Sequence, residues 1–115
     1  MALFLTPLQT RDVSEFGRKM LLASRGQARA FLSPESVQVL FTPQSTRDGR
    51  STGYGLGWSV DKEGVSHSGA AMGASSHLLI TIPAANGPSV VVASATNLGG
   101  VSLRSLNQDV AKIWS

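Results

Sequence analysis

Apolar residues recur at helical spacing in the first third of the chain, fall at successive positions in the second half, and return to helical spacing near the end. Val13, Phe16, Met20 and Leu21 share one side of a helix predicted over Arg11 to Ala23, with Arg11, Glu15, Arg18 and Lys19 opposite and Thr10 as its cap. Ser24-Arg25-Gly26-Gln27 breaks that pattern. Ser33 before Pro34 pairs a capping hydroxyl with a proline at a first helical position, and Val37, Leu40 and Phe41 supply the buried face of a second helix that Thr42-Pro43 stops. The polar stretch from Gln44 to Thr52 reads as an exposed loop.

From Tyr54 the period changes. Gly55 to Val60 reads as a strand, Asp61-Lys62-Glu63-Gly64 as a turn, and Val65 to Ser68 as the returning strand of a hairpin. Leu78 to Ile82 and Val90 to Ala95 are the strongest strands, joined by a segment whose Asn86-Gly87 pair suits a tight turn. Leu103, Leu106, Val110, Ile113 and Trp114 line one face of a last helix, entered through Gly99-Gly100 and capped by Ser102. The expected layout is one partial domain over residues 1–115, with a helical segment at 1–45, antiparallel strands at 53–97 and a closing helix at 101–115. The two strongest strands are apolar at successive positions rather than alternating, so both faces of their sheet require cover. The last helix covers only one face. An antiparallel sheet with an open edge and few helices is thin for a free-standing domain, and the expectation is that the chain belongs to something larger.

Composition narrows the chemistry. With 115 residues, 42% apolar and 15% charged, the chain supports one modest core. The net charge of +3 comes from arginines scattered along the sequence without interleaved aromatic residues, which reads as a solvated face rather than a nucleic-acid surface. No cysteine is present, so disulfides, thiolate zinc sites and a cysteine nucleophile are excluded. Met1 to Leu5 is too short for the apolar core of a signal peptide, no run reaches the length of a membrane span, and the compartment stays open.

Most catalytic patterns fail on their context. Ser59-Val60-Asp61-Lys62 matches S-x-x-K, but it sits at a predicted strand end, where residues three apart face opposite ways. Gly64 to Ser68 nearly spells a nucleophile elbow, with the closing glycine one position late. Gly53 to Gly57 lacks the lysine and following helix of a phosphate cradle, and His67 and His77 have no carboxylate or thiolate beside them for a metal. What remains is His67-Ser68-Gly69-Ala70 at a predicted strand end, where small residues leave the backbone bare enough for a ligand carbonyl to reach main-chain N–H groups.

Five motifs in order give that segment a context. Asp12-Val13-Ser14-Glu15-Phe16-Gly17 within Leu3 to Leu22, Phe31-Leu32-Ser33-Pro34-Glu35, Phe41-Thr42-Pro43, Tyr54-Gly55-Leu56-Gly57-Trp58 and His67-Ser68-Gly69 together resemble the C-terminal part of the serine β-lactamase-like hydrolases. That family spans class C β-lactamases, penicillin-binding proteins and esterases. Gly73-Ala74-Ser75-Ser76 and the tail from Asn97 to Trp114 are similar to its mitochondrial-type LACTB-like branch and the bacterial relatives of that branch. The resemblance implies the β-lactamase/transpeptidase-like α/β (α+β) architecture, an antiparallel sheet flanked by helices. It implies no cofactor and no metal, and leaves the parent's location open among cell envelope, cytoplasm and mitochondrion.

In that family a serine on an S-x-x-K helix attacks a carbonyl, while the lysine and the tyrosine of a Y-x-N motif move protons. By resemblance, the Ala70 N–H is one oxyanion-hole donor, Ser68 hydrogen-bonds the substrate, and His67 and Gly69 complete the substrate wall. His67 stands where many members carry lysine. An imidazole holds a substrate carboxylate less firmly than an ammonium does, which favours ester or peptide substrates over β-lactams. No helical S-x-x-K and no Y-x-N occur in the sequence. The implied partner is an N-terminal section of the same hydrolase carrying the nucleophile, acting on a small-molecule or peptide acyl substrate. The alternative is a non-catalytic interaction or self-assembly module of the same fold, in which an exposed sheet edge pairs with another chain or with a second copy.

Overall fold

Thr10–Ser24 forms the first helix, α1, in the computed structural model, which describes residues 9–83 and 88–114. The helix starts one residue earlier than the apolar stripe suggests, so Gln9 rather than Thr10 is the N-cap, and the Asp12 carboxylate accepts the Gln9 N–H at 2.8 Å. α2 (Pro34–Phe41) begins as its signals require. Ser33 Oγ accepts from the Ser36 N–H at 3.2 Å, Pro34 takes the first turn, and Thr42 ends the helix in extended conformation.

The stretch from Gly55 to Val60 is mostly not a strand. Only β1 (Ser59–Val60) pairs in the sheet, because Gly55 N–H donates to the Trp58 carbonyl at 2.7 Å and closes a turn on the bridge between Tyr54 and Ser59. Tertiary contact fixes that turn: Leu56 N–H donates to the carbonyl of Leu40 at the end of α2, at 3.0 Å. A Cβ on Gly55 would fall on the same Leu40 carbonyl oxygen. Trp58 stacks on Phe16 (6.3 Å, 9° between planes) and meets Phe41 edge-on at 5.2 Å.

β2 (Gly64–Ala71), β3 (Ala74–Thr81) and β4 (Val91–Thr96) complete a four-stranded antiparallel open sheet of order β1-β2-β3-β4. β2 runs three residues past the expected end and β3 starts four residues early, meeting at a turn through Met72 and Gly73. Glycine, alanine and serine in this stretch give no apolar signal, yet their backbones pair in register from Gly69↔Ser76 to Ala71↔Ala74. The expected Asn86-Gly87 turn, and the part of the first motif before Gln9, lie outside the described residues.

Both sheet faces are covered. Leu78, Ile80 and Val65 face α1 and α2, joining Met20, Leu21, Ala23, Val37 and Trp58 in the main core. α1 comes close because it carries Gly17, where a Cβ would lie 2.6 Å from Val91 Cγ1. On the other face α3 (Arg104–Trp114) packs on β3 and β4, held also by the Arg104–Asp61 ion pair and by Gln108 donating to Glu63 at 3.1 Å.

The buried face of α3 is not the one its apolar residues suggest. Asn107 and Ala111 are buried and Leu103 and Val110 half-buried, while Leu106, Ile113 and Trp114 are exposed. The helix is turned so that the Asn107 amide reaches polar groups of the sheet, and small Ala111 permits the approach. Its first residue is Arg104, with the Leu103 carbonyl accepting from the Asn107 N–H at 3.0 Å, which puts Ser102 one residue too early to cap it. Among the described residues no helix is long and apolar enough to cross a membrane.

Gly55→Ala is expected to lower stability by about 1–3 kcal/mol, the range for overpacking, because the obstacle is backbone rather than a movable side chain. Urea unfolding of the two proteins checks this, and an unchanged midpoint would contradict the close approach.

Candidate functional site

β1 is too short to cover its neighbour. It pairs with β2 only at Ser59↔Ser66 and Val60↔Val65, leaving β2 from His67 onward without a described strand on that side. Asp61 N–H donates to the Gly64 carbonyl at 3.0 Å, so Gly64 turns its main-chain groups away from β3. In an antiparallel ladder that direction alternates, and Ser66, Ser68 and Ala70 therefore turn their N–H and C=O groups outward as well. The Ser68 and Ala70 main chains face the open edge. The His67-Ser68-Gly69 segment is thus mid-strand rather than at a strand end, and the shortness of β1 is what bares it.

The same alternation separates the two side chains. His67 lies opposite Leu78, on the α1 face, whereas Ser68 lies opposite His77, on the α3 face. His67 Nδ1 sits 2.8 Å from the Gly57 carbonyl, and a carbonyl only accepts, so Nδ1 carries a proton and the neutral ring has Nε2 as its acceptor. Tyr54 Oη lies 3.5 Å from the same nitrogen. The ring borders a cavity of about 560 Å³ whose apolar wall is Val13, Phe16, Trp58 and Leu78. Ser68 and Ala70 are exposed and Gly69 half-buried. His67 reaches into the cavity and Ser68 does not, so the two flank the open edge from opposite sides.

The sheet's other histidine has a different position and was not legible as a structural group. His77 is 2% exposed, and the Asn107 amide nitrogen lies 2.7 Å from its Nδ1, 3.1 Å from its carbonyl and 3.3 Å from the Val92 carbonyl. Two carbonyls orient the amide with its NH2 toward the sheet. His77 Nδ1 must then accept, which places the neutral ring's proton on Nε2. His77 Nε2, Asn107 Oδ1 and Ser94 Oγ are buried without protein partners, and Ser94 lies directly opposite His77 on β4. Burial, reinforced by the charge of Arg104, pushes the His77 pKa below its ordinary 6.5. A polar residue at 107 amid an apolar helical stripe was the only sequence signal for this contact.

The other sequence patterns do not assemble. Ser59 lies in β1 and Lys62 in the following turn, so they share no helical turn. His67 and His77 occupy opposite faces. No protein-family model matches the chain, and no curated protein matches it.

A lowered histidine pKa means that the unfolded chain takes the proton first as pH falls. The contribution from neutral His77 is therefore present above the unfolded value near 6.5 and lost as pH drops toward the lower folded value. The urea midpoint is expected to fall between about pH 7 and pH 5, and His77→Gln to flatten that decline. Asn107→Ala should cost about 1–3 kcal/mol at neutral pH by stranding buried acceptors. Denaturant titrations across that pH range test both, and an equal slope for His77→Gln would exclude His77 as its source.

Proposed function

We propose that this chain is the C-terminal section of a β-lactamase-like serine hydrolase that transfers acyl groups from esters, amides or β-lactams, and that it supplies the substrate and oxyanion wall. The observation that carries the reading is the Ala70 N–H directed out of the uncovered edge of β2, two residues from Ser68, with the His67 ring set beside a cavity. A substrate lying along this edge as an added strand would place its scissile carbonyl against Ala70. When a serine oxygen bonds to the acyl carbon, the carbonyl π pair moves to oxygen and Ala70 N–H donates to the resulting oxyanion. Such a donor is worth about 3–4 kcal/mol in the transition state. The second donor is the N–H of the nucleophile, and the nucleophile and its bases belong to an S-x-x-K helix and a Y-x-N motif carried by the N-terminal section.

Further support comes from the way the resembling motifs touch one another. The Tyr54 to Trp58 segment holds His67 through the Gly57 carbonyl, is itself held by Leu40 of α2, and packs Trp58 on Phe16 of the first motif. Residues scattered over half the chain thus converge on one histidine. Its Nε2 acceptor suits a substrate hydrogen-bond donor better than a carboxylate, in keeping with ester or peptide substrates.

The chain by itself is expected neither to turn over a chromogenic cephalosporin or a p-nitrophenyl ester nor to be labelled by a fluorophosphonate. Joined to the section bearing the nucleophile it should become active, and Ala70→Pro should then lower kcat by about 10²–10³. Proline is tolerated there because this N–H lies outside the ladder. His67→Ala and Ser68→Ala should also reduce turnover. Covalent labelling of a serine in the chain alone, or full activity of Ala70→Pro, would overturn the reading.

A further inference from the structure

Among the described residues His77 is the only titratable side chain that is buried, and its consequences do not depend on the acyl-transfer reading. Its Nδ1 accepts from the Asn107 amide, whose NH2 also faces the carbonyls of His77 on β3 and Val92 on β4. One nitrogen of α3 thereby ties the helix to two strands and an imidazole. Asn107 is 0% exposed, and with Ala111 it forms the buried centre of the helix. Bulk water cannot replace a partner lost there.

A proton on Nδ1 is incompatible with this arrangement, because the charged ring has an N–H at both nitrogens and no acceptor. Left in place, the amide would set its NH2 against the new N–H. Turned over, it would offer Oδ1 to the ring but withdraw its NH2 from both carbonyls. Either way buried polar groups lose their partners, and the penalty falls on the docked helix alone. No carboxylate compensates the charge. On the α3 face β2 sets Ser66 and Ser68 around the ring, β4 sets Val92, Ser94 and Thr96, and β3 adds Ser75 and Leu79. The charged group that α3 brings to the ring is Arg104, itself a cation. Asp61 pairs with Arg104 and Glu63 accepts from Gln108, so both carboxylates engage the helix rather than the imidazole. Asp109 and Lys112 of α3 are exposed, and His67 lies on the opposite face of the sheet. That opposite face is closed by apolar residues such as Met20, Val37, Trp58 and Ile80.

We propose that the His77–Asn107 pair is an acid-operated latch, in which a proton on His77 Nδ1 releases α3 from the sheet while the face packed on α1 and α2 stays closed. Release opens the ring to water and restores its ordinary proton affinity, so proton uptake and release favour each other. Docking of α3 is therefore complete above the free value near 6.5 and weakens as pH falls toward the lower docked value. The transition is local, since only one of the two faces contains the titrating group.

Amide exchange of the chain, corrected for the pH dependence of intrinsic exchange, tests this from about pH 7.5 to about pH 4.5. At the upper end Asn107 and Ala111 should exchange slowly. As pH falls, their protection relative to the core amide of Ile80 should drop by up to about tenfold per pH unit, the slope of one proton. The Asn107 NH2 resonances should move with the same midpoint as the His77 ring nitrogens. His77→Gln, which keeps a side-chain acceptor but does not titrate, should hold the protection ratio constant, and His67→Gln should leave the release unchanged. The ring and amide resonances of the unaltered chain keep the test decisive if His77→Gln fails to fold. Fast exchange of α3 already at the upper end, parallel loss of protection at Asn107 and Ile80, a His77 ring that titrates without moving Asn107, or release that persists in His77→Gln would each overturn the proposal.

Discussion

The burial of Trp58 is the contact on which the remaining arrangement depends. Its indole is 7% exposed and lies against Phe16 of α1 and Phe41 of α2, each aromatic pair adding about 0.5–1.5 kcal/mol beyond the area it buries. With the side chain fixed there, the backbone before it must turn, and the turn places the Gly57 carbonyl 2.8 Å from His67 Nδ1. The same turn leaves only two residues for β1. A core contact thereby sets both the histidine tautomer and the length of exposed β2 edge.

The two faces of the sheet are held by different physics. Toward α1 and α2 the contact is apolar and tightly packed, with Ile80, Met20 and Val37 almost fully buried. Toward α3 it is mixed, with Leu79 and Ala111 buried beside the polar pair Asn107 and His77. Polar buried contacts specify a geometry more sharply than they stabilise it, since a displaced amide strands several acceptors at once. That specificity is what turns Leu106, Ile113 and Trp114 outward against the preference of their side chains.

Among the described residues two stretches of strand edge are uncovered, β2 beyond β1 and the outer side of β4. Each displays alternate main-chain groups in a direction fixed by one hydrogen bond, Asp61 to Gly64 at β2 and Thr81 to Val90 at β4. They differ in what surrounds them. Beside β2 stand a histidine and a cavity. Beside β4 stand Val110 and Trp114 of α3.

Elements governed by local rules were readable in the sequence: α2 with its Ser33 and Pro34 start, the stripe of α1, and the apolar centres of β3 and β4. The residues at positions 67–70 read as a strand end, whereas they lie mid-strand and the shortness of β1 is what bares their edge. Three features came only from the tertiary structure. The strand at Gly55 to Trp58 became a turn because Leu40 and the aromatic cluster claim it, β2 lengthened because β3 pairs with residues that have no apolar signature, and α3 rotated because His77 requires a donor. Periodicity records how strongly a side chain avoids water. It does not record which distant backbone or imidazole a residue will meet, and in this fold those meetings decided which edges stay open.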